Sequence, residues 1–319
     1  MPISKPLVLL VAAVAVIFAF AIPALDRAER TAPVTASAGD VAGRLRPRTI
    51  AGGSFEASGV AHVAGTNRFL FVDDGKEDEV FVMRVGADGA QLGDAIALPL
   101  AADITDPEGI TTDGHYFYLV GSQSKRTGFQ GDGLVRFTFD TASNRITAVE
   151  RIRGVKAWLA ANVPELRGTG NRAGDDVLNI EGLAWDPAAH RLLLALRAPV
   201  DGDQSLVIPI AFRDSTAAFT ANNIRLDSAA IRIPLGGAGL RAIEHDPVTN
   251  GFMIVTGAAL NDETRDFRVL EWDGMAGSVP REIATFPRAL KPEGITRANV
   301  GGRPVRVVVF DVGSFVVLP

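Results

Sequence analysis

The chain has no cysteine among its 319 residues, which removes disulfides, thiolate metal sites and cysteine nucleophiles at once. That absence fits any redox compartment, so it does not locate the protein. Histidine is scarce. His62, His115, His190 and His245 are the only four, and no pair has the spacing of a metal site. His115 and His190 fall in turns, and His62 and His245 follow β runs, where they read as packed or surface side chains. No Gly-x-Ser-x-Gly elbow is present, so the familiar serine-hydrolase arrangement has no support. An excess of basic charge is also missing. Lys and Arg number 32 against 37 Asp and Glu, a net charge of −5, so there is no footprint for nucleic acid.

What is present is apolar and turn-rich. Hydrophobic residues make up 47% and charged residues 22%, enough for a sizeable core and inconsistent with global disorder. Glycine (33) and proline (18) are plentiful, as expected of many short strands joined by turns. One apolar run stands apart. Lys5 precedes an uncharged stretch from Pro6 to Leu25. At about 20 residues it reaches the membrane-spanning minimum and exceeds the usual core of a signal peptide. Residues 1–25 are expected to be a cleaved signal peptide or an uncleaved anchor, and either exports the rest of the chain to a periplasmic or secreted location. Residues 26–43 are small and polar and read as a flexible linker. Residues 44–319 then form one domain, a monomer that meets the membrane only through its N-terminal segment.

Self-similarity decides the fold. The phrases Pro107-Glu108-Gly109-Ile110, Ile180-Glu181-Gly182-Leu183 and Pro292-Glu293-Gly294-Ile295 repeat, with degenerate copies at Ser58-Gly59 and Arg241-Ala242. Each opens a unit with two β runs around a turn, and Asp186-Pro187 and Asp246-Pro247 occupy the same turn in two units. Proline presets φ and aspartate bonds the backbone ahead, so this is a turn with a mechanism. Two more β runs follow in units one to four, which makes four-stranded propeller blades. Unit five lacks a strand, and Arg44–Ile50 ahead of unit one has no partner. The economical solution is an all-β, single β-propeller of five blades closed by the N-terminal strand, which also removes an exposed edge. Six blades stay open if units two and three hide an extra strand. Val155–Val163 has helical spacing stopped by Pro164, and Gly168–Asp176 reads as a flexible loop. Together they form one short helical insertion.

In such a fold the repeated polar positions meet at one face of the axis. The candidate ligand-binding residues are Glu108, Glu181, Arg241, Glu293, Arg197, Ser122, Ser124 and Arg126. A hard cation such as calcium would take Glu108, Glu181, Glu293, Asp73 or Asp311. The competing reading is structural, with each glutamate bonded to backbone or paired with Arg241, Arg197 or Arg126. The acidic run Asp73–Glu79 matches a calcium loop in composition and not in ligand spacing. No nucleophile–base pair is recognisable, so catalytic residues are unassigned.

Leu196-Arg197-Ala198-Pro199 resembles the Leu-Arg-Gly-Pro signature of an uncharacterised bacterial family known as domain of unknown function 3616. Asn179–Leu183, Tyr116–Ser124, Gly239–Ile243 and Lys291–Ile295 are similar to its other phrases, in the same order, over roughly residues 55–318. Two positions depart from it: Ala198 stands for glycine, and Gln123 for histidine. The resemblance implies a propeller and no activity. That family is in turn distantly similar to exported phytase-like esterase and lactonase propellers. The functional expectation is therefore a small-ligand or metal site on the polar face. The alternatives are a metal-dependent hydrolase of phosphoesters or lactones and a protein-interaction scaffold using residues 155–176.

Overall fold

The computed structural model describes residues 47–125, 128–129, 131–260 and 265–319. The leader, the linker and Arg126 lie outside the described residues. Among the described residues no helix is long and apolar enough to cross a membrane.

Five antiparallel sheets stand around one axis as a five-bladed β-propeller. The inner strands are Ala57–His62, Pro107–Thr112, Asn179–Asp186, Ala238–Asp246 and Pro292–Val300, one from each blade in chain order. Each contacts the inner strand of the next blade, and the fifth contacts the first. The fifth blade takes its outermost strand from the other end of the chain. Arg48 pairs with Phe315 and Thr49 with Ser314, and Ile50 N–H donates to Gly313 O at 2.9 Å. This closure strand is shorter than the Arg44–Ile50 expected, and residues 44–46 are outside the described set.

The third blade differs in one detail. Its fourth strand is broken into Ile224–Leu226 and Ile231–Pro234, which pair with opposite ends of the third strand, Gln204–Phe212. No sixth blade is formed among the described residues. The second unit owes its extra length to a helix, α1 (Val155–Asn162).

The core is five cores. Each lies between two neighbouring blades, and that of blades five and one contains Ile50 and Phe55 beside Val307, Val309 and Phe315. The middle strands therefore face apolar surroundings on both sides. In Arg303–Phe310, Val307 and Val309 enter one inter-blade core and Val308 the other, all fully buried. This explains the unbroken valine run, since a strand buried on both faces has no polar alternation to show. Burying each such side chain is worth about 1.5–3 kcal/mol.

Asp186 and Asp246 cap their turns as expected. Asp186 Oδ1 accepts from Ala188 and Ala189 N–H, and Asp246 Oδ1 accepts from Val248 N–H at 2.9 Å. The α1 helix sends Val155 and Leu159 into the core of blades two and three, with Val163 and Leu166 just beyond it. Its apolar face is therefore used inside the domain.

Candidate functional site

Each copy of the repeated phrase is a β-bulge. Pro107 pairs with Gly121 and Gly109 with Val120, so Glu108 is an extra residue with no partner across the strand. The same slip isolates Glu181, Arg241 and Glu293, and the slip in the first blade falls around Ser58-Gly59. Bulges redirect a side chain, and here four of them turn a charged one to a common cavity. The glycine that follows has its own reason. A Cβ on Gly182 would lie 2.9 Å from Ile243 N, and one on Gly109 would lie 2.7 Å from Leu183 Cβ. The glutamate thus marks the cavity, and the glycine marks where the next blade packs.

The cavity holds about 560 Å³ and opens on one face of the ring. Below the carboxylates the channel narrows to a void of about 10 Å³ lined by the inner strands, so the cavity is blind. Seven carboxylate residues and five basic ones line it. Arg241 is the hub. Its Nη1 donates to Glu181 Oε2 at 2.9 Å and to Glu293 Oε1 at 3.0 Å. The two carboxylates are thereby held within the roughly 6 Å over which charges couple strongly. Arg197 Nη1 and Asn179 Nδ2 donate to the other oxygen of Glu181 at 3.0 and 3.1 Å. The Arg241 guanidinium also lies over the Phe267 ring, 5.5 Å from its centroid.

Glu108 is treated differently. It is 7% exposed and lines the cavity, yet it has no hydrogen bond or ion pair among the described residues. Burial pushes its carboxyl well above the usual range, and the neighbouring Glu181 and Glu293 push it further. Glu293 is raised to about 8, first by burial and then by Glu181, against the opposing pull of Arg241. Asp74, at the rim, is raised to about 7 by burial and by Glu56 beside it.

The structure sorts the residues expected from sequence. Glu108, Glu181, Arg241, Glu293, Arg197 and Asp311 share the cavity, with Asp311 paired to Lys291. Asp73 does not reach it. Its oxygens accept from Glu56 and Gly75 N–H, a turn role, and its neighbour Asp74 lines the cavity instead. Ser122 and Ser124 are buried and bond each other at 3.2 Å, away from the main cavity. Beside them Lys156, 1% exposed, donates from Nζ to the carbonyls of Lys125 and Arg172. That ammonium ties the exit loop of blade two to the insertion. Arg126 falls outside the described residues. Among the described residues no three His, Asp or Glu side chains are grouped as a metal ion would require.

Sequence reasoning missed Asp106, Asn179 and Lys291. Each sits two residues before the bulged residue, and Asp106 and Lys291 both adopt positive φ (56° and 45°). The repeat alignment carried the signal, because the same offset gives Glu56 and Gly239 in the other blades.

No family model matches the chain, and no curated protein matches it in sequence. Solved structures do match its fold. The PQQ domain of a pyranose dehydrogenase from Coprinopsis cinerea superposes with a TM-score of 0.50 at 10% identity, covering 88% of this chain and 96% of that one. The soluble aldose sugar dehydrogenase of Escherichia coli gives 0.43 at 10% identity, over 86% and 98%. A glucose dehydrogenase gives 0.44 at 10% identity, over 86% and 99%. At 10% identity the first of these shows a shared fold and nothing of substrate or cofactor.

Proposed function

We propose that the protein is an exported propeller that binds a small polar molecule in the blind cavity, in line with its resemblance to domain of unknown function 3616. The observation that carries this is the braced ring of Glu181, Arg241 and Glu293 around a buried carboxyl, Glu108, that has no partner among the described residues. A carboxyl that the protein leaves unpaired at the wall of a cavity of ligand size is placed to meet what enters it. The location rests on the uncharged run Pro6–Leu25.

The metal-hydrolase alternative has less support. A calcium ion needs six to eight oxygen ligands. At the axis the Arg241 guanidinium already lies between two of the three glutamates. The scaffold alternative loses its main surface, because α1 directs its apolar residues inward.

The test is a screen of polar metabolites by thermal shift on the exported domain. Saturable stabilisation by at least one compound is expected, and it should vanish in Ala258→Trp, which fills the cavity from its wall. Hits that survive that substitution would place binding elsewhere and overturn the reading.

A further inference from the structure

We infer that the ligand is a small organic cation, an amine or guanidine, whose charged nitrogen sits against Glu108. This rests on the cavity being the binding site and adds the charge of what it holds. Three observations carry it. Carboxylates outnumber basic side chains in the lining by seven to five. The basic groups at the axis are already committed, Arg241 to Glu181 and Glu293, and Lys291 to Asp311. The one buried carboxyl left over is Glu108, which lines the cavity and has no partner among the described residues.

The surroundings of Glu108 fix the sign of the missing partner. Glu181 of blade three, Glu293 of blade five, Asp106 just ahead of its own strand and Asp74 of blade one share its cavity and push its carboxyl up. Arg241, the cation of blade four, gives its Nη1 to two other carboxylates. Beside Glu108 an anion would meet a crowd of acidic groups, and the five basic residues of the lining do not outnumber them. A neutral ligand would leave Glu108 holding its proton. A bound ammonium supplies the donor and the charge together, in a charge-assisted hydrogen bond. Asn179 Oδ1, buried without a partner on the same lining, offers a second acceptor. The Phe267 ring gives the wall an apolar face against which carbon atoms can pack. At about 560 Å³ the space suits an organic molecule and is far too large for a bare ion.

Proton linkage follows from the same geometry. Burial and like charge hold a proton on Glu108, and an incoming cation displaces it. Affinity for a cation should therefore rise with pH.

The experiment is titration calorimetry at low salt with two amines, putrescine and glucosamine, against neutral counterparts, 1,4-butanediol and glucose. Binding of at least one amine with no binding of its counterpart is expected. Glu108→Gln should weaken that amine at least about tenfold, the scale of one charge-assisted hydrogen bond. Asp106→Asn guards against a folding defect, since asparagine tolerates the positive φ there, and should weaken binding by about twofold to threefold. Equal binding of a neutral counterpart would overturn the cationic assignment while leaving the cavity as the site. Calcium binding that competes with the amine and is lost in Glu108→Gln would overturn it in favour of a metal. If neither amine binds, the inference fails, and the metabolite screen decides separately whether the cavity binds anything.

Discussion

Two buried acid–arginine clusters lie on the inner strands, one joining blades four and five and one spanning blades two to five, and they are built to opposite rules. On the closed side, Asp246 is fully buried and Arg297 grips both of its oxygens, Nε to Oδ1 at 2.9 Å and Nη2 to Oδ2. Val248 N–H adds a third bond. Burial alone would raise this carboxyl, but Arg297 and the amide outweigh it and hold it below the usual range. On the open side, Arg241 is shared between Glu181 and Glu293, and Glu108 receives nothing among the described residues. There burial and like charge win, and the carboxyls rise. A buried charge by itself therefore separates nothing. What separates structure from site is whether each oxygen already has its donor.

The largest effect should come from breaking the satisfied cluster. Arg297→Met leaves Asp246 buried with one amide donor, and the loss of one partner of a buried pair costs about 3–5 kcal/mol. Urea denaturation at pH 7 measures this. A loss below about 1 kcal/mol would show that the closed side is no better anchored than the open one.

A smaller effect, opposite in sign, is expected deeper in the channel. Glu244 accepts one bond, from Thr111 Oγ1 at 2.9 Å, and burial raises its carboxyl to about 8. The native chain then holds that proton more tightly than the unfolded chain. The stability this group contributes is fully present below its unfolded pKa, near 4.5, and is lost as pH rises towards 8. Glu244→Gln keeps the size and an acceptor without the charge. The variant should gain about 1–3 kcal/mol over wild type at pH 9 and lose that advantage by pH 4, a figure reduced because Glu244 keeps partial exposure. Parallel Tm curves for the two proteins across pH 4–9 would contradict it.

The blade frame was legible because it is written in periodic terms. Five copies of one phrase, two Asp-Pro turns and an unpartnered strand at each end determine a ring and its closure. The position of the site was legible for the same reason, since Glu108, Glu181, Arg241 and Glu293 are one alignment column. The chemistry of that column was not. Whether Arg241 reaches one glutamate or two depends on a distance across three blades, which no local pattern encodes. Asp73 and Asp74 are adjacent in sequence, and turn geometry alone decides that the second lines the cavity. Lys156 was hidden in a helical stretch, where a lysine ordinarily means a solvated face, and here it is 1% exposed against loop carbonyls.

The finest test is the smallest change. Glu108→Gln is nearly isosteric and breaks no ion pair, because Glu108 has none among the described residues. If Glu108 were structural, the variant would lose a few kcal/mol, as the closed cluster should. If it is held for a ligand, the substitution strands no donor. Stability at pH 8 should then stay level or rise by up to about 1 kcal/mol, the usual relation between a binding cavity and the fold that carries it. The carboxyl that titrates well above the usual range should be missing from the variant, while that of Glu293 stays near 8, because its shift comes from burial and Glu181. Carbon-13 NMR of the glutamate carboxyls reads this directly. A full set of high-titrating carboxyls together with a destabilised fold would assign Glu108 to the architecture, and the two sides of the propeller would then follow one rule.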